Sequence, residues 1–303
     1  MNRNDRIAGC LIGLACGDAV GATLEFQDRG TFEPISDMIG GGPFNLRPGE
    51  WTDDTSMALC LASSLIGHRG FNAHDQMLRY VQWYQTGYMS STGRCFDIGG
   101  TALGALRSFG LSGEPYSGPI DEFSAGNGSI MRLGPIPMFY SDWADAIYYS
   151  GESSRTTHGA KECIAACQLL GSMLHKAING QPKEEILFGK HFPQGSDYKL
   201  PMKINAIANG DYTMKDRDSI RGSGYVVQSL EAALWCFYST GSYKAAILEA
   251  ANLGDDADTT GAICGQIAGA YYGRRGIPEL WQKRLAKLFV IEGILDGLLG
   301  NQA

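Results

Sequence analysis

Residues 9–21 read GCLIGLACGDAVG, and residues 261–273 read GAICGQIAGAYYG. Each stretch carries glycine at every fourth position: Gly9, Gly13, Gly17 and Gly21 in the first, Gly261, Gly265, Gly269 and Gly273 in the second. A four-residue step returns to the same side of a helix, so each set forms one bare ridge. A glycine inside a helix costs about 1 kcal/mol relative to alanine, and four in a row demand compensation. Close approach by a second helix backbone supplies it. Bare ridges also serve membrane dimers, but Asp255, Asp256 and Asp258 precede the second ridge and neither helix is apolar enough to span. The pattern predicts two central, tightly packed helices that touch each other. If they run antiparallel, the end of the first lies beside the start of the second, which brings Glu25 toward Asp258.

The rest of the chain is read as helical too. Asn4 or Asp5 caps a helix over about Arg6 to Leu24, and residues 52–55 cap the helix MALCLASSLIGH. Further helical patterns fall at AHDQMLRYVQWYQTG, GTALGALRSF, WADAIYYSGESSR, KECIAACQLLGSMLHKAIN, YVVQSLEAALWCFYST, YKAAILEAANL and ELWQKRLAKLFVIEGILDGLL. These exceed strand lengths and lack strict alternation. Long loops rich in Gly, Pro, Asp and Ser lie near 27–50, 110–126 and 181–224. No composition shift divides the 303 residues, so the expectation is an all-α fold in one compact domain over 1–303.

Composition narrows the function. Apolar residues make up 44% and charged residues 19%, enough for a core and too apolar for disorder. A net charge of −7 argues against nucleic acid as partner. The eight cysteines form no C-x-x-C pair and sit among aliphatic residues, which reads as buried free thiols. Asp18 interrupts the apolar N-terminal run, and no stretch reaches the ~20 residues of a membrane span. The expected setting is cytoplasmic.

Two acidic clusters carry the chemistry: Trp51-Thr52-Asp53-Asp54-Thr55 and Gly254-Asp255-Asp256-Ala257-Asp258-Thr259-Thr260. Each stands before an apolar helix, where one Asp or Thr serves as N-cap. Capping uses one or two such residues. Five carboxylates and four hydroxyls exceed that need, and surplus like charges repel unless a cation sits among them. Taken with the paired glycine helices, they point to a shared metal site. With no His or Cys in either cluster, the hard oxygen donors suit Mg²⁺, Mn²⁺ or Ca²⁺.

Other residues stand beside this core. Asp18 is read as a buried, hydrogen-bonded structural carboxylate. Glu25, at a helix end, is a general base or metal-orienting group, with an ordinary surface glutamate as the alternative. Asp97, in the turn Cys95–Thr101, caps the next helix or holds a sugar hydroxyl. Gly126-Asn127-Gly128-Ser129 is a tight turn whose N–H groups suit phosphate oxygens. His158 in Thr-Thr-His-Gly either contacts a ligand or is structural. His68, His74, His175 and His191 are read as surface or helix-end residues. Tyr225 lines a pocket or packs with Trp235 and Phe237.

The ordered set resembles the ADP-ribosylglycohydrolase family, of the type that removes ADP-ribose from arginine, including the dinitrogenase-reductase-activating glycohydrolases of bacteria. The matching residues are G-D-A-x-G-x-x-x-E at 17–25, T-D-D-T at 52–55, F-D-I-G at 96–99, A-G-N-G-S-x-M-R at 125–132, T-H at 157–158 and G-D-D-A-D-T-T-G-A at 254–262. The resemblance implies an all-α fold around two divalent cations, Mg²⁺ or Mn²⁺, held by Thr52, Asp53, Asp54, Asp256, Asp258 and Thr259. It implies catalytic roles for Glu25 and Asp97. It places Gly99, Thr101, Gly126, Asn127, Gly128, Ser129, His158 and Tyr225 against the substrate. Three features depart from the family pattern: Gly100 replaces a polar residue of some bacterial members, Asp255 replaces a common glycine, and 181–224 has no counterpart.

The implied reaction is hydrolysis of the N-glycosidic bond between ADP-ribose and a protein side chain, arginine above all. The partner is then an ADP-ribosylated protein, with ADP-ribose as product. Two alternatives stay open: a metal-dependent hydrolase of another ADP-ribose linkage or nucleotide-like metabolite, and a non-catalytic family descendant.

Overall fold

A computed structural model describes residues 1–300 of the chain. Among the described residues there are fourteen α-helices and no strand, only the isolated bridges Gly41–Leu46 and Gly126–Tyr225. The helices are α1 (Arg3–Gly21), α2 (Asp53–His68), α3 (Ala73–Thr86), α4 (Gly100–Ser112), α5 (Pro135–Phe139), α6 (Trp143–Arg155) and α7 (Lys161–Ile178). Then follow α8 (Lys183–Phe188), α9 (Met202–Ala208), α10 (Val226–Ser239), α11 (Tyr243–Ala251), α12 (Ala257–Tyr272), α13 (Glu279–Arg284) and α14 (Leu288–Gly300).

Helices α1 and α12 are the two glycine helices, and they form the axis of the fold. Gly9 lies on Gly269, Gly13 on Gly265, Gly17 on Gly261 and Gly21 on Ala257, so the helices run antiparallel with backbones in contact. A Cβ on any of these four α1 glycines would overlap the facing helix's carbonyl oxygen. Both helices are almost wholly buried. Helices α7, α10 and α11 pack around α12, and α2 and α14 close the other side. Among the described residues no helix is long and apolar enough to cross a membrane.

Several boundaries differ from the sequence expectation, each for a local reason. Helix α1 starts at Arg3, because the Asn2 side chain, not Asn4 or Asp5, accepts from the Asp5 N–H at 2.9 Å. It ends at Gly21, and a turn from Leu24 N–H to the Gly21 carbonyl swings Glu25 inward. The C-terminal segment breaks into α13 and α14. There the Ala286 N–H bonds to the Gly49 carbonyl at 2.9 Å, and Lys287 takes φ +45°. The 181–224 stretch holds the short helices α8 and α9 and two 3₁₀ turns. All eight cysteines are free, and only Cys95 is not fully buried.

Candidate metal centre and substrate cleft

The meeting of α1, α2 and α12 gathers the acidic residues. Neither cluster serves chiefly as a cap: Thr52 and Asp256, at the cap positions of α2 and α12, make no side-chain cap bond. The cap of α2 comes from α1 instead. Asp18 accepts from the Thr52 N–H at 2.9 Å through Oδ1 and from the Thr55 N–H at 3.0 Å through Oδ2. Asp18 is therefore a structural carboxylate, and it leaves Asp53 and Asp54 in the first turn of α2 free for another task. Asp258 keeps one local bond, from the Thr259 N–H to its Oδ1 at 2.7 Å.

Two trios of carboxylates result. Glu25, Asp256 and Asp258 each offer an oxygen within 4.8 Å of the others, and so do Asp53, Asp54 and Asp258. Asp258 belongs to both. The Thr52 hydroxyl lies 3.1 Å from Asp258 Oδ2, and the Thr259 hydroxyl lies 3.4 Å from Asp54 Oδ1. Asn127 Nδ2 donates to Asp256 Oδ2 at 2.9 Å and holds that carboxylate in place. Burial first, and the facing carboxylate of Asp258 second, push Glu25, Asp53, Asp54, Asp97 and Asp256 well above the usual carboxylate range.

This donor set fits a divalent cation. The oxygens are hard, several carboxylates crowd one buried spot, and Asp54 Oδ2 is buried with no hydrogen-bond partner. Among the described residues, no Lys or Arg lines the cleft to balance the charge.

Above the trios opens a cleft of about 340 Å³. Its wall includes Glu25, Asp53, Asp97, Asp256, Asp258 and Thr259, the edge Gly99–Gly100–Thr101, the turn Gly126–Asn127–Gly128, and His158. Glu25 is buried, which removes the surface-glutamate alternative. Asp97 does not cap α4, whose cap residue is Gly99. Instead Asp97 takes φ +60° and faces the cleft. Phe26 and Asp255 are also left-handed, at φ +60° and +57°, and are joined by a Phe26 N–H to Asp255 carbonyl bond of 2.8 Å. That bond fixes the corner that carries Glu25, while Asp255 itself lines an adjoining surface recess that shares Phe26, Gly224 and Asp256 with the cleft.

Four expected site residues do not line the cleft. Thr52 and Asp54 lie beneath its floor. Ser129 lies under the turn, with its Oγ accepting from Ser154 Oγ at 2.9 Å. Tyr225 sits outside the wall, half-buried; its hydroxyl bonds to Glu162 and accepts from Lys203 Nζ at 2.8 Å. Tyr225 also packs against the hydrophobic core that contains Phe237, and Trp235 lies at the edge of that same core. His191 corrects another expectation: it is buried, with Nε2 3.2 Å from the Ala208 carbonyl oxygen.

His158 lies under the glycine turn, close enough that a Cβ on Gly128 would touch its ring. Burial, aided by Arg132, lowers its pKa to about 3, so the ring is neutral. Arg132 was quoted in the sequence motif without a role. It is fully buried, donates to the Gly128 carbonyl at 3.0 Å and to Thr157 Oγ1 at 2.6 Å, and lies 4.6 Å from the Tyr80 ring centre. It is the post that shapes the turn. Ile98 and Met131, which stand inside the motifs at 96–99 and 125–132, also line the cleft, as do Phe26 and Gly224, which no motif singled out.

The structure is an all-α scaffold with buried carboxylate trios, which could hold a metal ion, at the floor of a polar cleft. The chain belongs to the ADP-ribosylglycohydrolase family, whose model matches residues 1–303. It is 48% identical over 284 residues to the ADP-ribosylarginine hydrolase Tri1 of Pseudomonas putida (strain GB-1), covering 93% of this chain and 74% of that protein. It is 32% identical to the ADP-ribosyl-[dinitrogen reductase] glycohydrolase of Rhodospirillum rubrum, over 93% of this chain and 90% of that one. A solved structure described as an ADP-ribosylglycohydrolase-related protein complex superposes with a TM-score of 0.87 at 39% identity, covering 100% of this chain and 99% of that chain. The family is in general metal-dependent, in keeping with the acidic groups found here.

Proposed function

We propose that this chain is an ADP-ribosylarginine hydrolase that cleaves the bond between ribose C1 and the guanidine nitrogen of a modified arginine. The observation that carries the reading is that Glu25, a member of one carboxylate trio, and Asp97 line the same cleft as Asp53, Asp256 and Asp258. The names of the relatives at 44–48% identity point to the arginine linkage.

Thr52, Asp53, Asp54, Asp256, Asp258 and Thr259 would hold two divalent cations, Mg²⁺ or Mn²⁺, with Asp258 shared between the trios. Such ions polarise ribose hydroxyls and lower the pKa of water. The remaining work falls to the chain itself. Gly99, Thr101, Gly126, Asn127 and Gly128 border the space for the ribose and diphosphate, and exposed N–H groups of the turn suit the phosphate oxygens. Neutral His158 supports that turn from below. Ser129 and Tyr225 act at one remove, Ser129 through the turn and Tyr225 at the outer rim.

Glu25 is held by the Asp258 N–H and orients the attacking water. The transition state is oxocarbenium-like, as in other glycoside hydrolysis. Asp97, on the same wall, assists proton delivery to the departing guanidine nitrogen. The carboxylate-rich cleft also attracts a cationic guanidinium before the reaction.

The test is ADP-ribose release from arginine-ADP-ribosylated protein with Mg²⁺ or Mn²⁺, with chelator, and with Asp256→Asn. Metal-dependent release lost in the variant supports the assignment. Release of AMP or inorganic phosphate would instead identify a nucleotide-metabolite hydrolase. Binding of ADP-ribose without turnover would point to another ADP-ribose linkage or to a non-catalytic descendant.

A further inference from the structure

Beside the acidic cleft lies a second, larger cavity of about 740 Å³, lined by Phe44, Arg47, Glu50, Thr92, Arg94 and Phe96 among others. The two are neighbours through the chain itself: Phe96 belongs to the second cavity and Asp97 to the first. A row of rings marks the boundary. The Phe44 ring centre lies 6.3 Å from that of Phe26, which is 65% exposed, and 5.2 Å from that of Phe96.

The charges of the two cavities are opposite. Five carboxylates line the first and no Lys or Arg does, among the described residues. The second presents Arg47 and Arg94, both exposed, and neither has a carboxylate within ion-pair reach among the described residues. Its one carboxylate, Glu50, is engaged by the backbone N–H of Arg47 at 2.7 Å. The cavity is thus net cationic in a chain of net charge −7.

We infer that this cavity receives the polypeptide flanking the modified arginine and favours acidic residues there; the inference rests on the ADP-ribosylarginine reading of the adjoining cleft. A modified arginine whose guanidine reaches Asp97 must lead its backbone out at the cleft's lip. An extended chain advances about 3.3–3.6 Å per residue, so the next two or three residues pass the aromatic row and enter the second cavity. Apolar parts of the segment rest on Phe44 and Phe96. Its carboxylates meet Arg47 and Arg94, while lysines there meet like charge, which disfavours wrong partners more than it strengthens right ones. The acidic cleft therefore selects the modified side chain, and the basic cavity selects its sequence context.

The experiment compares kcat/KM on free ADP-ribosylarginine and on three peptides carrying one ADP-ribosylated arginine, flanked by Asp and Glu, by Ser, or by Lys. The enzymes are wild type, R47E, R94E and the double variant, at low and at high salt. Both arginines are exposed, so the variants should fold. The wild type is expected to prefer the acidic over the basic peptide by about tenfold at low salt, less at high salt. The double variant should reverse that order, while free ADP-ribosylarginine is turned over equally by all four enzymes. An unchanged ranking in the double variant, or a parallel loss on free ADP-ribosylarginine, overturns the cavity's assignment. A wild type that hydrolyses none of the four compounds overturns the arginine reading itself, a result distinct from either.

Discussion

The backbone N–H of Asp258 donates to Oε2 of Glu25 over 3.3 Å, across 233 residues of chain. Two groups so remote meet because Gly21 rests on Ala257, one turn below, with no side chain between the helices. The bare ridge is thus part of the cleft's geometry as well as of the core. A side chain on it would separate the two halves of the acidic floor.

Gly17→Ala tests this. Alanine is the better helix former by about 1 kcal/mol, so helix propensity alone predicts a gain. Its Cβ would overlap the Gly261 carbonyl, which belongs to backbone and cannot rotate away. Overpacking of this kind costs about 1–3 kcal/mol and sometimes more. We expect a lower urea midpoint and weaker metal binding together. Gly104→Ala in α4 is the opposite case, since its Cβ meets nothing within 4 Å. That variant should gain up to about 1 kcal/mol. Equal shifts in both variants would show that the ridge contact does not govern stability.

The contrast shows which features were legible in advance. A period of four glycines reports a helix face directly, and two such faces in a mostly helical chain have few partners but each other. Excess carboxylate at two helix starts was legible as well, because capping uses so few. What Asp18 caps was not: its partners Thr52 and Thr55 lie 34 and 37 residues away, and no local pattern links them. The break between α13 and α14 is imposed by Gly49, far along the chain. Ser129 and Tyr225 belong to cleft-lining motifs, yet adjacency in sequence does not fix side-chain direction, and both turn to polar partners outside the cleft. The burial of His191 was not legible either, because its acceptor, the Ala208 carbonyl, lies 17 residues further along the chain.

Glu25→Gln and Asp97→Asn should each lower kcat by about 10²–10⁴, the usual worth of a positioned acid or base. The Glu25→Gln amide oxygen can still accept from the Asp258 N–H, so the fold of the corner should survive. Metal stoichiometry, read by calorimetry, is expected to match wild type in both variants. Loss of an ion in Glu25→Gln would move that residue from catalysis to metal ligation. Full activity in Asp97→Asn would remove it from proton delivery.

Asp54→Asn should have opposite effects on the metal-free and metal-loaded protein. Without metal, burial and the neighbouring carboxylates hold the Asp54 pKa high, so its charge opposes folding near neutral pH. Removing that charge should stabilise the chelated protein. In wild type, metal at a hundred times its Kd adds about 2.7 kcal/mol of stability. That increment should largely vanish in Asp54→Asn. It should also shrink in wild type as pH falls, because protons and metal compete for the same oxygens. A variant that is less stable without metal, yet equally stabilised by it, would contradict the proposed role of Asp54.

His191 predicts an acid-dependent loss of stability that does not involve the cleft. Burial, with Lys176 as the next cause, lowers its pKa from 6.5 to about 4. Its Nδ1 is buried without a hydrogen-bond partner, and the backbone of Ala208 and Leu187 offsets only part of the cost of charging the ring. Between those two values the unfolded chain binds a proton that the folded chain refuses, so stability rises with pH across the window. It is fully present above 6.5 and is lost as pH falls toward 4. From pH 7 to pH 5 the loss from this one group amounts to about 2 kcal/mol. His158 acts in the same direction and stays in place as a constant background. His191→Gln removes the titration while keeping a donor for the Ala208 carbonyl. Urea unfolding of both proteins in chelator at pH 7 and pH 5 should show the variant's acid sensitivity reduced by that amount. Parallel stability curves would mean that His191 is protonated in the fold and that its buried setting tolerates the charge.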